Sequence, residues 1–200
     1  TTDQVAALTS DQVTALTTAQ VKALTTDEVV ALTGSQINKL TTAQVGAMST
    51  AQVAAIETAD LVQLTNSQIE SISTAGIAAL STDQVKVITT SQIKALTAAQ
   101  ITALTTDVAV VNTDQLRLLN DEQVAAITTA GIAALTTAQV SNLKATQVSA
   151  MTTAQISAIE AADTLVLTQA QLNSMSQEQW NAISAANRTA IVAGGRTAPY

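Results

Sequence analysis

The sequence has no cysteine, no histidine and no phenylalanine, and only one tryptophan, one tyrosine and one proline in 200 residues. Without cysteine there is no disulfide framework. Without cysteine and histidine, thiol chemistry, imidazole acid–base catalysis and the common zinc sites fall away. Without phenylalanine, any core must be thin and built from alanine, valine, isoleucine and leucine. Basic residues are few: 8 Lys and Arg stand against 15 Asp and Glu, for a net charge of −7. They are also scattered, so nothing offers the clustered cations that phosphate binding needs, and nucleic acid is not an expected partner. No run approaches the roughly 18 apolar residues of a membrane-spanning helix, so no membrane span is expected.

What the sequence does have is an eight-residue repeat. Thr9-Ser10-Asp11-Gln12-Val13-Thr14-Ala15-Leu16 is followed by Thr17-Thr18-Ala19-Gln20-Val21-Lys22-Ala23-Leu24, and the pattern T-T-x-Q-V-x-A-L runs to about Ile191. The chain begins in this register at Thr1-Thr2-Asp3-Gln4-Val5 without an initiator methionine, as a processed chain or a segment of a longer one does.

One octad reads as one short helix. A strand would put Val13 and Leu16 on opposite faces, because they are three apart. A continuous helix would let the apolar stripe drift by about 80° per octad. A short helix explains every position. Thr9 is the N-cap and Gln12 the N3 residue of a capping box, and Leu8 and Val13 are placed as a hydrophobic staple. Asp11, like Asp3, Asp27 and Asp83, falls in the first turn, where the helix dipole favours an acid. Ala15 and its equivalents Ala23, Ala31, Ala47, Ala55, Ala95, Ala126 and Ala134 suggest a close helix approach on a second face. One octad buries too little to stand alone, so octads must stack in a row. The expected fold is all-α: a solenoid or superhelix of very short helices, one per eight-residue repeat, with the Val and Leu positions facing its axis.

The repeat breaks at regular places. Thr105-Thr106-Asp107-Val108-Ala109-Val110-Val111 has lost one residue and its glutamine. The units starting at Glu57 and Glu160 put acids in place of both the capping residue and the glutamine. Gly76 and Gly131 replace the glutamine in near-identical stretches. These breaks divide an octapeptide-repeat solenoid at 1–191 into approximate higher-order units 1–56, 57–104, 105–159 and 160–191. Each odd unit reads as a bend or contact point. The aliphatic runs Val108–Val111 and Leu165–Leu167 are candidates for extended chain. Residues 192–200 leave the register as a C-terminal tail or docking arm.

No catalytic, cofactor-binding or metal-ligating residue emerges. No phosphate-binding glycine motif is present. The densest acid cluster is Asp107, Asp114, Asp121 and Glu122. It reads as helix N-terminal acids on a solvated face rather than as a calcium site, because no calcium-loop pattern accompanies it. Trp180 stands at the Val position of its octad and reads as a core plug near a terminal repeat. Asn187-Arg188-Thr189 matches a glycosylation sequon.

The T-T-A-Q-V-x-A-L units, as at residues 41–48 and 136–143, resemble the short Thr/Gln/Ala-rich octapeptide (LTTxQVxA) tandem repeats of large bacterial secreted or surface proteins. The resemblance covers about residues 1–191. It implies an extracellular or cell-surface setting and a structural or adhesive role, and it carries over no site residues. The expected function is therefore structural: the subunit of an extracellular filament or surface fibre, whose partners are other copies of itself. The other reading is a binding or spacer module of a secreted adhesin, facing a surface glycan or protein. An enzyme is not expected, and no cofactor is.

Overall fold

The computed structural model describes residues 1–199. Among these residues the chain forms twenty-three α-helices and one 3₁₀ helix, with no β-strand. The helices are four to six residues long, as in Ser10–Ala15, Thr18–Ala23 and Thr42–Gly46, except the last, Ala185–Ala193. One helix per octad is the expected arrangement.

Local chemistry sets these bounds. The Thr17 backbone is extended (φ −73°, ψ 157°), and its hydroxyl accepts the Gln20 N–H at 3.2 Å. The helix ends at Leu24, again extended (φ −62°, ψ 136°). Two successive extended residues, Leu24 and Thr25, thus break the helix at this octad boundary. So short a helix has hardly any internal hydrogen bonds to offset its nucleation cost, so its stability must come from packing.

That packing is periodic. The chain divides into two compact units, Thr1–Ala103 and Leu104–Tyr200. Within each, a helix packs on the third helix further along: Thr42–Gly46 on Asn66–Ser71, and Thr129–Ala133 on Thr153–Ala158. Side chains at the sixth octad position reach the backbone at the seventh position three octads later. Thr14 Oγ1 donates to the Lys39 carbonyl at 3.1 Å, Asn38 Nδ2 to Gln63 at 2.6 Å and Ser157 Oγ to Ala182 at 3.2 Å. Here is the close approach on a second face. Ala31, Ala47, Ala55, Ala95 and Ala126 are half-buried there, whereas Ala15 and Ala23 in the first three octads, and Ala134, stay exposed. The Val positions, Val13 to Ile156, form the core with the Leu positions from Leu32 onward. No helix is long and apolar enough to cross a membrane among the described residues.

The aliphatic runs are not extended. Val108 and Val110 lie in the 3₁₀ helix Thr105–Val110, and only Val111 after it is extended. Leu165 has helical dihedrals at the end of Ala161–Thr164. The physical reason at 105–111 is length. A 3₁₀ helix rises about 2.0 Å per residue against 1.5 Å for an α-helix, so a seven-residue unit in this form spans the reach of eight.

The tightened unit constrains its neighbour. Thr105 has φ +50°, a left-handed value uncommon for a threonine. A Cβ on Gly131 would lie 2.7 Å from the Thr105 carbonyl oxygen, which is backbone and cannot swing aside. At Gly76 the corresponding contacts are side-chain methyls, Ile72 Cγ2 at 2.8 Å and Val53 Cγ2 at 3.2 Å. Gly131→Ala is therefore expected to destabilise by about 2 kcal/mol despite alanine's higher helix propensity, and Gly76→Ala by less. Urea unfolding of the two variants side by side measures the difference.

Candidate functional site

The residues that set this chain apart are its glutamines. Gln44 illustrates the arrangement. Its Oε1 accepts the Thr41 N–H at 2.6 Å, which closes the capping box at the start of its own helix. Its Nε2 donates to the carbonyls of Val13 at 3.0 Å, Thr14 at 3.2 Å and Leu16 at 2.6 Å, the end of the helix four octads earlier. A helix leaves its first N–H and last C=O groups without internal partners. One carboxamide here satisfies both kinds at once, its oxygen at one helix start and its nitrogen at another helix end. The amide has two hydrogens for three acceptors, so one bond is shared.

The rung recurs with one register. Gln52, Gln68, Gln84 and Gln100 make the same bonds at separations of 31, 30 and 28 residues. In the second unit Gln155 and Gln179 repeat them, and Gln147 and Gln171 reach the first and last acceptors. These glutamines are buried to 5 % exposure or less. A helix thus packs on the third helix before it and caps the fourth. Where Lys144 takes the N-cap, only the Gln147 half of the box forms, because an ammonium accepts nothing.

In the acidic units the donor half of the rung is lost. A carboxylate cannot donate to carbonyls. Asp163, 5 % exposed, instead accepts from Thr137 Oγ1 at 2.6 Å, on the octad three places back. Asp60 holds the equivalent position in its unit, but the residue matching Thr137 is Gly34, which has no hydroxyl. Burial holds the Asp60 carboxyl above the ordinary aspartate range, and the charge of Glu57 adds to the effect. By contrast Glu28, the one glutamate in a rung position, is held low by the Thr25 backbone N–H. It makes the capping box as glutamine does, with Oε2 3.0 Å from the Thr25 nitrogen.

The remaining candidates fall on this frame. Asp114, Asp121 and Glu122 lie exposed in first turns, and Asp107 is half-buried in the 3₁₀ helix. No group of three or more acids is close enough to hold a metal among the described residues. Trp180 is buried at the Val position of Gln177–Ala182, as a core plug would be. Asn187 lies in the first turn of Ala185–Ala193, within a helix rather than on a loop. The tail folds back on its own chain. Arg196 Nη1 donates to the Leu167 carbonyl at 2.6 Å, and Thr197 N–H to Gln169 Oε1 at 2.9 Å. By the 28-residue register a glutamine at 195 would reach Leu167, and Gly195 stands there, so Arg196 makes the missing rung. Tyr200 lies outside the described residues.

The sequence pattern showed the capping half of each rung and missed the donor half. A signal was present: glutamate caps as well as glutamine, yet the chain uses it once, at Glu28. A persistent choice of amide over acid means that the nitrogen has work to do.

A family model described as the ALTTAQ repeat matches residues 14–42, 26–56, 53–90, 79–106, 105–137 and 124–160. Comparison with curated proteins gives no match.

Two outcomes are expected. Gln68→Glu keeps the capping oxygen but sets a buried carboxylate against three carbonyls, so it should cost about 3 kcal/mol at neutral pH and recover as acid protonates it. Gln12→Glu, at an exposed glutamine, should cost less than about 0.5 kcal/mol. Denaturant midpoints across a pH series read both. For Asp60 the raised value means that the protonated form favours folding. That contribution is complete below the ordinary aspartate pKa and lost as pH rises through the raised value. Asp60→Asn should then raise Tm at about pH 7 and leave it unchanged near pH 3, by calorimetry.

Proposed function

The chain belongs to the ALTTAQ repeat family, and from that premise we propose that it is the subunit of an extracellular filament or surface fibre of a bacterium, self-associating head to tail. The coarser part of this reading, a structural repeat protein built as an α-helical solenoid, follows from the family match and the fold. The observation that supports the finer part is the rung. An octad spends its polar groups on closing the ends of other octads, and its apolar groups on the shared core. Such a unit adds length without changing its neighbours' chemistry, which is what a fibre requires of its subunit. The role is mechanical rather than catalytic. The surface is lined with threonine, alanine and scattered charge, and the resemblance to secreted and surface repeats supports the extracellular setting.

Electron microscopy and sedimentation of the purified chain across a concentration series test this reading. Long particles that grow with concentration are the expected result. Small monodisperse particles at every concentration would overturn self-assembly and leave the spacer or binding module of an adhesin as the role.

A further inference from the structure

We propose that the solenoid is an extensible element: loaded along the chain it opens turn by turn, and it rewinds when the load is removed. The inference goes beyond the self-association reading and depends only on how octads are tied to one another.

Three features carry it. The first is the range of the ties. Thr14 reaches Lys39 over 25 residues, and Thr137 reaches Asp163 over 26. The Gln68 amide reaches Ile37, Asn38 and Leu40 over 31, 30 and 28. Helix packing has a similar reach, three octads along the chain. An octad's partners thus lie about one turn away. The sequence has no cysteine, so no disulfide lets tension bypass the turns. Load on the backbone falls on the outermost closed turn first, and then on the next.

The second is what happens to a turn that leaves its neighbour. Helices of four to six residues have no stability of their own, so the released turn becomes extended chain. One turn is three octads, about 24 residues, and an extended chain spans about 3.4 Å per residue, or about 80 Å per turn. Packed, the turn occupies about 9 Å, one helix-to-helix spacing. Opening it therefore gains about 70 Å. The third is closure. Ties this short in sequence cost little loop entropy to re-form, and the turn still in place offers its apolar face as a template.

The rungs grade the load along the chain. By their register, position 60 faces the carbonyls of Val29, Val30 and Leu32, and position 76 those of Val45, Gly46 and Met48. Asp60 as a carboxylate cannot donate, and Gly76 has no side chain to offer. The turns closed by these two octads should open under the least load.

The test is single-molecule force spectroscopy of the full chain, pulled and relaxed between handles at its two ends. The expected trace is a series of steps, each adding about 70 Å of contour length, that closes again on relaxation. A single rip that releases the chain at once overturns the proposal, and so does a trace that fails to close. Two variants tie the steps to the rungs. Gln68→Ala removes one donor and should lower the force of one step; Asp60→Gln supplies one and should raise the force of another. The remaining steps should keep their forces in both. A folded variant that leaves its step unmoved, or that moves every step together, overturns the proposal. If Gln68→Ala lacks the parent's circular dichroism, Asp60→Gln alone decides. Each trace reads one chain, so the result is separate from whether copies self-associate.

Discussion

The constraint on which this structure depends is the unpaired backbone at the ends of its helices. In a helix of four to six residues nearly every N–H and C=O lies in an end turn. Left bare inside a protein, each such group costs as much as a buried hydrogen bond is worth. Long helices dilute this cost; an octad fold concentrates it. The chain answers with a bifunctional side chain once per octad. Glutamine is the shortest residue that can accept at N3 of its own helix and still donate about 30 residues back, at separations of 28 to 31. Asn187, one methylene shorter, makes no such rung and caps through Ser184 instead.

Everything else is arranged around that register. The alanine common at the seventh position lets helices three octads apart approach, and Gly46 does so at a sixth position, where a Cβ would stand 3.0 Å from the Ser71 carbonyl. The Val and Leu positions fill what lies beneath. The core contains no phenylalanine and is aliphatic apart from three methionines and Trp180. Where the rung is changed, the neighbourhood changes with it: an acid at Asp163 recruits a threonine hydroxyl, and a glycine at 131 admits the backbone of Thr105.

Much of this was legible from residues alone. The T-x-x-Q spacing announces a capping box because both partners sit within one turn. The spacing of Val and Leu announces burial because no other element accommodates it. The acceptor of each glutamine was not legible, since it lies four repeats away and nothing local distinguishes an amide aimed at solvent from one aimed at a carbonyl. The 105–111 unit was misread as a candidate for extended chain because β-branched residues suit strands. Its real constraint was to cover an octad's reach with one residue fewer. Arg196 escaped notice because it lies outside the register while making a register contact.

The irregular units have a consequence for uniqueness. In an array of identical octads, sliding one turn past another by a single octad would restore every rung and every core contact. The slipped and correct alignments would then be nearly equal in energy, and the sequence would specify a family of structures rather than one. Gly131 fits only where a backbone crowds it, Thr137 has a partner only opposite Asp163, and a seven-residue unit can be matched at one place. The departures from the repeat are the notches that make the alignment single-valued, so a chain edited into perfect regularity would keep its bonds and lose its address.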